Sequence, residues 1–123
     1  MVSMQVELVK EYRFEAAHQL PRVPATHKCR RLHGHSFKIE LTVAGTADDT
    51  TGWLIDYGDI DRIWEPLYSR LDHNFLNEID GLDNPTSENL SKWIFDRIKK
   101  ELPLLRAVTV FETCDARCTY RGD

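Results

Sequence analysis

The stretch His33-Gly34-His35-Ser36-Phe37-Lys38-Ile39-Glu40-Leu41-Thr42-Val43 decides the fold. His33, His35, Phe37, Ile39, Leu41 and Val43 share one parity; Lys38, Glu40 and Thr42 share the other. Successive side chains of a strand point to opposite faces, so the pattern predicts a half-buried strand whose apolar face begins with two histidines. Gly45 and the polar run from Thr46 to Gly52 end it. Upstream, Met4, Val6, Leu8, Tyr12, Phe14, Ala16 and His18 repeat the alternation, interrupted by Lys10, and predict a long strand from Met4 to about His18. Pro21 and Pro24 break regular structure, which makes Gln19 to Leu32 a loop. Antiparallel pairing sets the end of the first strand beside the start of the second. His18 then converges on His33 and His35.

Downstream the period changes. Asp56 caps a helix carrying Ile60, Ile63, Trp64, Leu67 and Leu71, and Pro66 within it predicts a kink or an interruption. Asn84-Pro85-Thr86-Ser87-Glu88 marks a second helix start, with Leu90, Trp93, Ile94 and Ile98 as its buried stripe. Lys99 and Lys100 suit its C-terminal dipole, and Pro103 follows. Ala107 to Thr113 and Cys118 to Arg121 are β-rich, with a turn at Asp115-Ala116-Arg117. The order ββααββ predicts an α+β fold, a four-stranded antiparallel sheet with two helices on one side.

A chain of 123 residues fits one domain spanning 1–123, and a hydrophobic fraction of 41% supports one modest core. At this size association is an easy route to extra burial. The net charge of -4 argues against general nucleic-acid binding. No apolar run approaches the ~20 residues that cross a bilayer, so no membrane role is expected. Met1-Val2-Ser3-Met4-Gln5 carries no secretion signal, and the odd set Cys29, Cys114 and Cys118 suggests reduced thiols in the cytoplasm. Cys114 and Cys118 read as structural thiols near a β-turn.

Residues i and i+2 of a strand share a face, so His33 and His35 can hold one metal, with Gly34 letting the backbone come close. With His18, three imidazoles suit zinc and leave a fourth position open; iron or nickel uses the same ligands. The alternative is three ordinary histidines, and His-x-His alone is a weak signal. Cys29 lies four residues before His33 among His27, Lys28, Arg30 and Arg31, whose positive charge favours a thiolate. The same basic loop offers a landing site for a phosphorylated substrate, with Lys28 at its start. Asp72-His73 fits a carboxylate that orients an imidazole base, or a helix-terminal pair without function. Glu112 shares the parity of Val108 and Val110, so it is expected on the apolar face. There it needs paired N–H donors, either on a guanidine-like heterocycle edge or from Arg121. Thr86 and Ser87 cap the second helix, whose exposed N–H groups could also receive a polar ligand.

Taken together, Phe14-Glu15-Ala16-Ala17-His18, Cys29-Arg30-Arg31-Leu32-His33-Gly34-His35, Leu71-Asp72-His73, Pro85-Thr86-Ser87-Glu88-Asn89 and Glu112-Thr113 resemble the 6-pyruvoyl-tetrahydropterin synthase family. The Cys-x-x-x-His-Gly-His spacing is most similar to its queuosine-pathway branch, the 6-carboxytetrahydropterin synthases. The resemblance implies the tunnelling fold and a homohexamer of two trimers with active sites between chains. It also implies a reaction, in which 7,8-dihydroneopterin triphosphate and water give 6-carboxy-5,6,7,8-tetrahydropterin, acetaldehyde and triphosphate. His18, His33 and His35 would then bind zinc at the substrate's side-chain hydroxyls, while Cys29, Asp72 and His73 move protons. Glu112 would anchor the pterin edge, with Thr86 and Ser87 near the ring. A pyruvoyl-forming or side-chain-cleaving relative, a noncatalytic metal- or pterin-binding module and a zinc hydrolase are the other readings.

Overall fold

The computed structural model describes residues 3–113 and 115–123, so the expectation for Cys114 lies outside the described residues. The elements are β1 (Gln5–His18), β2 (His33–Thr46), α1 (Tyr57–Leu71), β3 (Asn74–Phe75), α2 (Ser87–Glu101), β4 (Leu105–Thr113) and β5 (Ala116–Tyr120). They form one sheet in the order β3-β1-β2-β4-β5. The α+β class and the long strands stand as expected. Alternation puts Phe37, Ile39, Leu41 and Val43 in full burial beneath the helices. The β1–β2 register runs unbroken from Gln5 opposite Thr46 to His18 opposite His33.

The sheet has five strands rather than the expected four. The additional strand, β3, spans two residues and runs parallel to β1, pairing Ala16 with Asn74 and Ala17 with Phe75. Two residues are too few to show an alternation. What aims them is His73, whose backbone is left-handed at φ 58° and whose N–H donates to the Glu15 carbonyl at 2.6 Å. β5 also begins at Ala116, earlier than the turn residues suggested, because Arg117 already pairs with Phe111.

α1 is capped by Asp56, whose carboxylate accepts the Gly58 N–H at 2.8 Å. It is not interrupted at Pro66. The proline sits on the exposed side, where water can satisfy the carbonyl that loses its partner, while Trp64, Leu67 and Leu71 hold the helix on the core. α2 starts as predicted. The Thr86 hydroxyl accepts the Asn89 N–H at 3.1 Å, and Ile94 and Ile98 are fully buried. At its far end Lys99 donates to the carbonyls of Pro103 and Leu105 at 2.7 and 2.8 Å.

Candidate active site

The β1–β2 register brings His18 opposite His33, with His35 two residues along on the same face. Their ligand atoms lie within 4.8 Å of one another, and the Nε2 atoms of His18 and His35 are 3.0 Å apart. His18 is 1% exposed, and its Nδ1 donates to the Pro85 carbonyl at 2.9 Å. His33 Nδ1 donates to the Arg31 carbonyl at 2.9 Å. A carbonyl only accepts, so both Nδ1 atoms carry the proton and both Nε2 atoms present lone pairs. Burial pushes the His18 imidazole below the ordinary histidine range. The Pro85 carbonyl and Glu112 oppose that shift, and the neighbouring histidines reinforce it. The neutral imidazole is the form that binds a metal. Nitrogens at ~2.0–2.1 Å around a tetrahedral ion are separated by roughly 3.3 Å, so the close Nε2 pair fits one ion between them. The His35 Nδ1 is buried without a hydrogen-bond partner.

A cavity of about 410 Å³ opens on this cluster, lined by Lys28, Cys29, His33, His35 and Glu112. Cys29 is a half-buried free thiol in a 3₁₀ turn at Lys28–Arg30. His27 caps that turn, its Nδ1 accepting the Cys29 N–H at 3.1 Å. Glu112 is half-buried on the face of Val108 and Val110, as its parity predicted. Arg121 does not pair with it across the sheet, because Arg121 lines a groove on the opposite face with Glu7, Glu40 and Thr119.

Asp72 and His73 stand elsewhere. Asp72 accepts the Glu15 N–H at 2.9 Å through one oxygen and pairs with His73 Nδ1 at 2.7 Å through the other. These two hydrogen bonds, the Glu15 amide first, hold the Asp72 carboxyl below the usual aspartate range. His73 opens on a second cavity of about 540 Å³ with Glu15, Ala17, Gly34, His35 and Ser36. Within one chain the thiol and His73 therefore face different cavities, and among the described residues only His35 lines both. Thr86 and Ser87 sit at the start of α2 beside the Pro85 carbonyl that holds His18, outside the residues lining either cavity.

Gly34 has a different role from the one expected. A Cβ there would meet only the Ala16 carbonyl, at 3.5 Å, so no close approach within the chain requires glycine. Its bare face instead forms part of the second cavity. The carbonyls of Arg31 and Pro85 were missed from sequence because backbone acceptors carry no residue signature. His27 had one signal, an imidazole two residues before the cysteine.

The profile of the 6-pyruvoyl tetrahydropterin synthase family matches residues 7–123. The chain is 42% identical over 119 residues to 6-carboxy-5,6,7,8-tetrahydropterin synthase from Synechocystis sp., covering 92% of this chain and 91% of that protein. It is 34% identical over 100 residues to dihydroneopterin monophosphate aldolase from Pyrococcus furiosus, covering 81% of each. The structure of Caenorhabditis elegans 6-pyruvoyl tetrahydropterin synthase superposes with a TM-score of 0.91 at 25% identity, over 100% of both chains. The fold is therefore the tunnelling fold of those synthases, and the chain belongs to the 6-pyruvoyl tetrahydropterin synthase family.

Proposed function

We propose that this protein is a zinc-dependent lyase that converts 7,8-dihydroneopterin triphosphate and water to 6-carboxy-5,6,7,8-tetrahydropterin, acetaldehyde and triphosphate. The observation that carries this reading is the single cavity shared by the Cys29 thiol, the His33 and His35 imidazoles and the Glu112 carboxylate. The similarity to the Synechocystis 6-carboxy-5,6,7,8-tetrahydropterin synthase supports the same product. Zinc, held by His18, His33 and His35, would polarise the side-chain hydroxyls of the substrate. Glu112 accepts the paired N–H groups of the pterin edge and so sets the ring's orientation. Cys29, on the same cavity wall, exchanges protons with the side chain. Lys28 at the cavity rim receives the triphosphate. Thr86 and Ser87, beside the Pro85 carbonyl, lie near the ring.

Asp72 orients His73, which completes the proton transfers. The separate cavities of Cys29 and His73 support an active site shared between copies, in which the Asp72–His73 pair of one chain meets the thiol of another. A homohexamer of two trimers is the assembly this reading takes. Placement in queuosine synthesis follows from the product, and a cytoplasmic location from the reduced thiols.

Incubating the zinc-loaded protein with dihydroneopterin triphosphate, then analysing products by mass spectrometry, tests the reading. Acetaldehyde with a 6-carboxypterin is expected. A pyruvoyl product, or simple aldol cleavage of the side chain as in the Pyrococcus relative, overturns it. Cys29→Ala separates the remaining readings. Loss of turnover at unchanged zinc content supports the lyase, whereas a zinc hydrolase or a binding module needs no thiol.

A further inference from the structure

No residue of the turn carrying Cys29 is buried, so packing against the core does not fix the thiol. Hydrogen bonds do. The Cys29 carbonyl accepts the Leu20 N–H at 2.8 Å, the Arg30 N–H returns to the His27 carbonyl at 3.0 Å, and the Cys29 N–H donates to His27 Nδ1 at 3.1 Å. Leu20 is in turn tied to the 3₁₀ turn Leu76–Glu78 that follows β3, because Asn77 clamps Gln19 through its N–H at 2.9 Å and its carbonyl at 2.8 Å. The His27 side chain is therefore the one side-chain contact among these that reaches the cysteine's own peptide.

We infer that His27 is a positioning residue that holds the Cys29 thiol at the wall of the histidine cavity by capping its N–H. The inference rests on the reading of Cys29 as the proton-transfer group. Imidazole Nδ1 can accept only when the other nitrogen carries the proton, so the capping form is neutral. Asparagine, aspartate and serine are the usual N-cap residues. An aspartate here would set a carboxylate beside the thiol and disfavour its anion, whereas neutral imidazole caps without that charge. Asparagine places Oδ1 one bond beyond Cγ, where histidine places Nδ1, so His27→Asn retains the acceptor and His27→Ala removes it.

Both variants are compared with the wild-type protein for amide exchange at Cys29, zinc content and kinetics on dihydroneopterin triphosphate. His27→Ala is expected to speed Cys29 amide exchange and to lower kcat about fivefold or more, the scale of a lost cap. Zinc content and KM stay close to wild type, and His27→Asn restores both exchange protection and kcat. Wild-type exchange and kcat in His27→Ala, or a His27→Asn protein no better than His27→Ala, overturns the inference. Faster exchange with unchanged kcat overturns it too, by leaving the cap a purely local role. If the wild-type protein does not turn the substrate over, it is the functional reading that fails; unprotected Cys29 exchange in wild type then separately rejects the cap.

Discussion

Two backbone carbonyls, those of Arg31 and Pro85, fix the tautomers of His33 and His18 and leave both Nε2 atoms unprotonated, as metal ligation requires. The histidines were legible because strand parity states which side chains share a face. The carbonyls were not, since any residue supplies one. Replacing His33 or His35 with alanine is expected to abolish stoichiometric zinc, read by elemental analysis of the purified protein, while the buried strand residues keep the fold. Retained zinc in either variant would contradict the ligand assignment. Asp72 gives a pH signature. Its carboxyl is lowered in the folded chain by the Glu15 N–H and His73, so its stabilisation is complete above the unfolded value of about 3.9. That contribution disappears as pH falls through the lower folded value. Acid unfolding of Asp72→Asn should lack this component, and identical acid profiles for the two proteins would count against it.

At the scale of elements, long alternations and capped helices were readable, and the shortest strand was not. β3 depends on the left-handed backbone of His73 and on the bond from its N–H to Glu15, a residue far away in the sequence. Such a contact leaves no periodic trace. Pro66 was readable as a breaker, yet α1 passes through it because both flanking turns are anchored in the core. Pro66→Ala restores the missing helical hydrogen bond on an exposed face. It should raise stability by about 1–2 kcal/mol in urea unfolding, the helix gain less the entropy that proline removes from the unfolded chain. At the start of α2, Thr86→Ala removes the bond to the Asn89 N–H and should cost about 1 kcal/mol in the same measurement.

For the whole molecule, sequence reading named the side chains proposed for zinc, proton transfer and pterin binding but not how they divide. Cys29 and His73 face separate cavities in one chain, a division that depends on three-dimensional placement around β1 and β2. The shared-site reading makes a direct prediction. Cys29→Ala and His73→Ala are each inactive alone, and dissociating and reassembling them together should return part of the turnover, with sedimentation showing particles larger than the 14.3 kDa chain. No recovery in verified mixed particles would place both residues in a site within one chain. The rung joining His18 to His33 has a further consequence. A one-residue slip of β1 along β2 turns the apolar face outward and is rejected by the core. A two-residue slip that sets Ala16 opposite His33 keeps each side chain on its own face and is opposed by altered packing and by the bond from His18 to the Pro85 carbonyl. The linking segment of residues 19–32 is too long to dictate alignment as a tight turn does. That misaligned copy would also draw His18 away from His33, so an ion held by the three imidazoles would favour the native alignment of the hairpin.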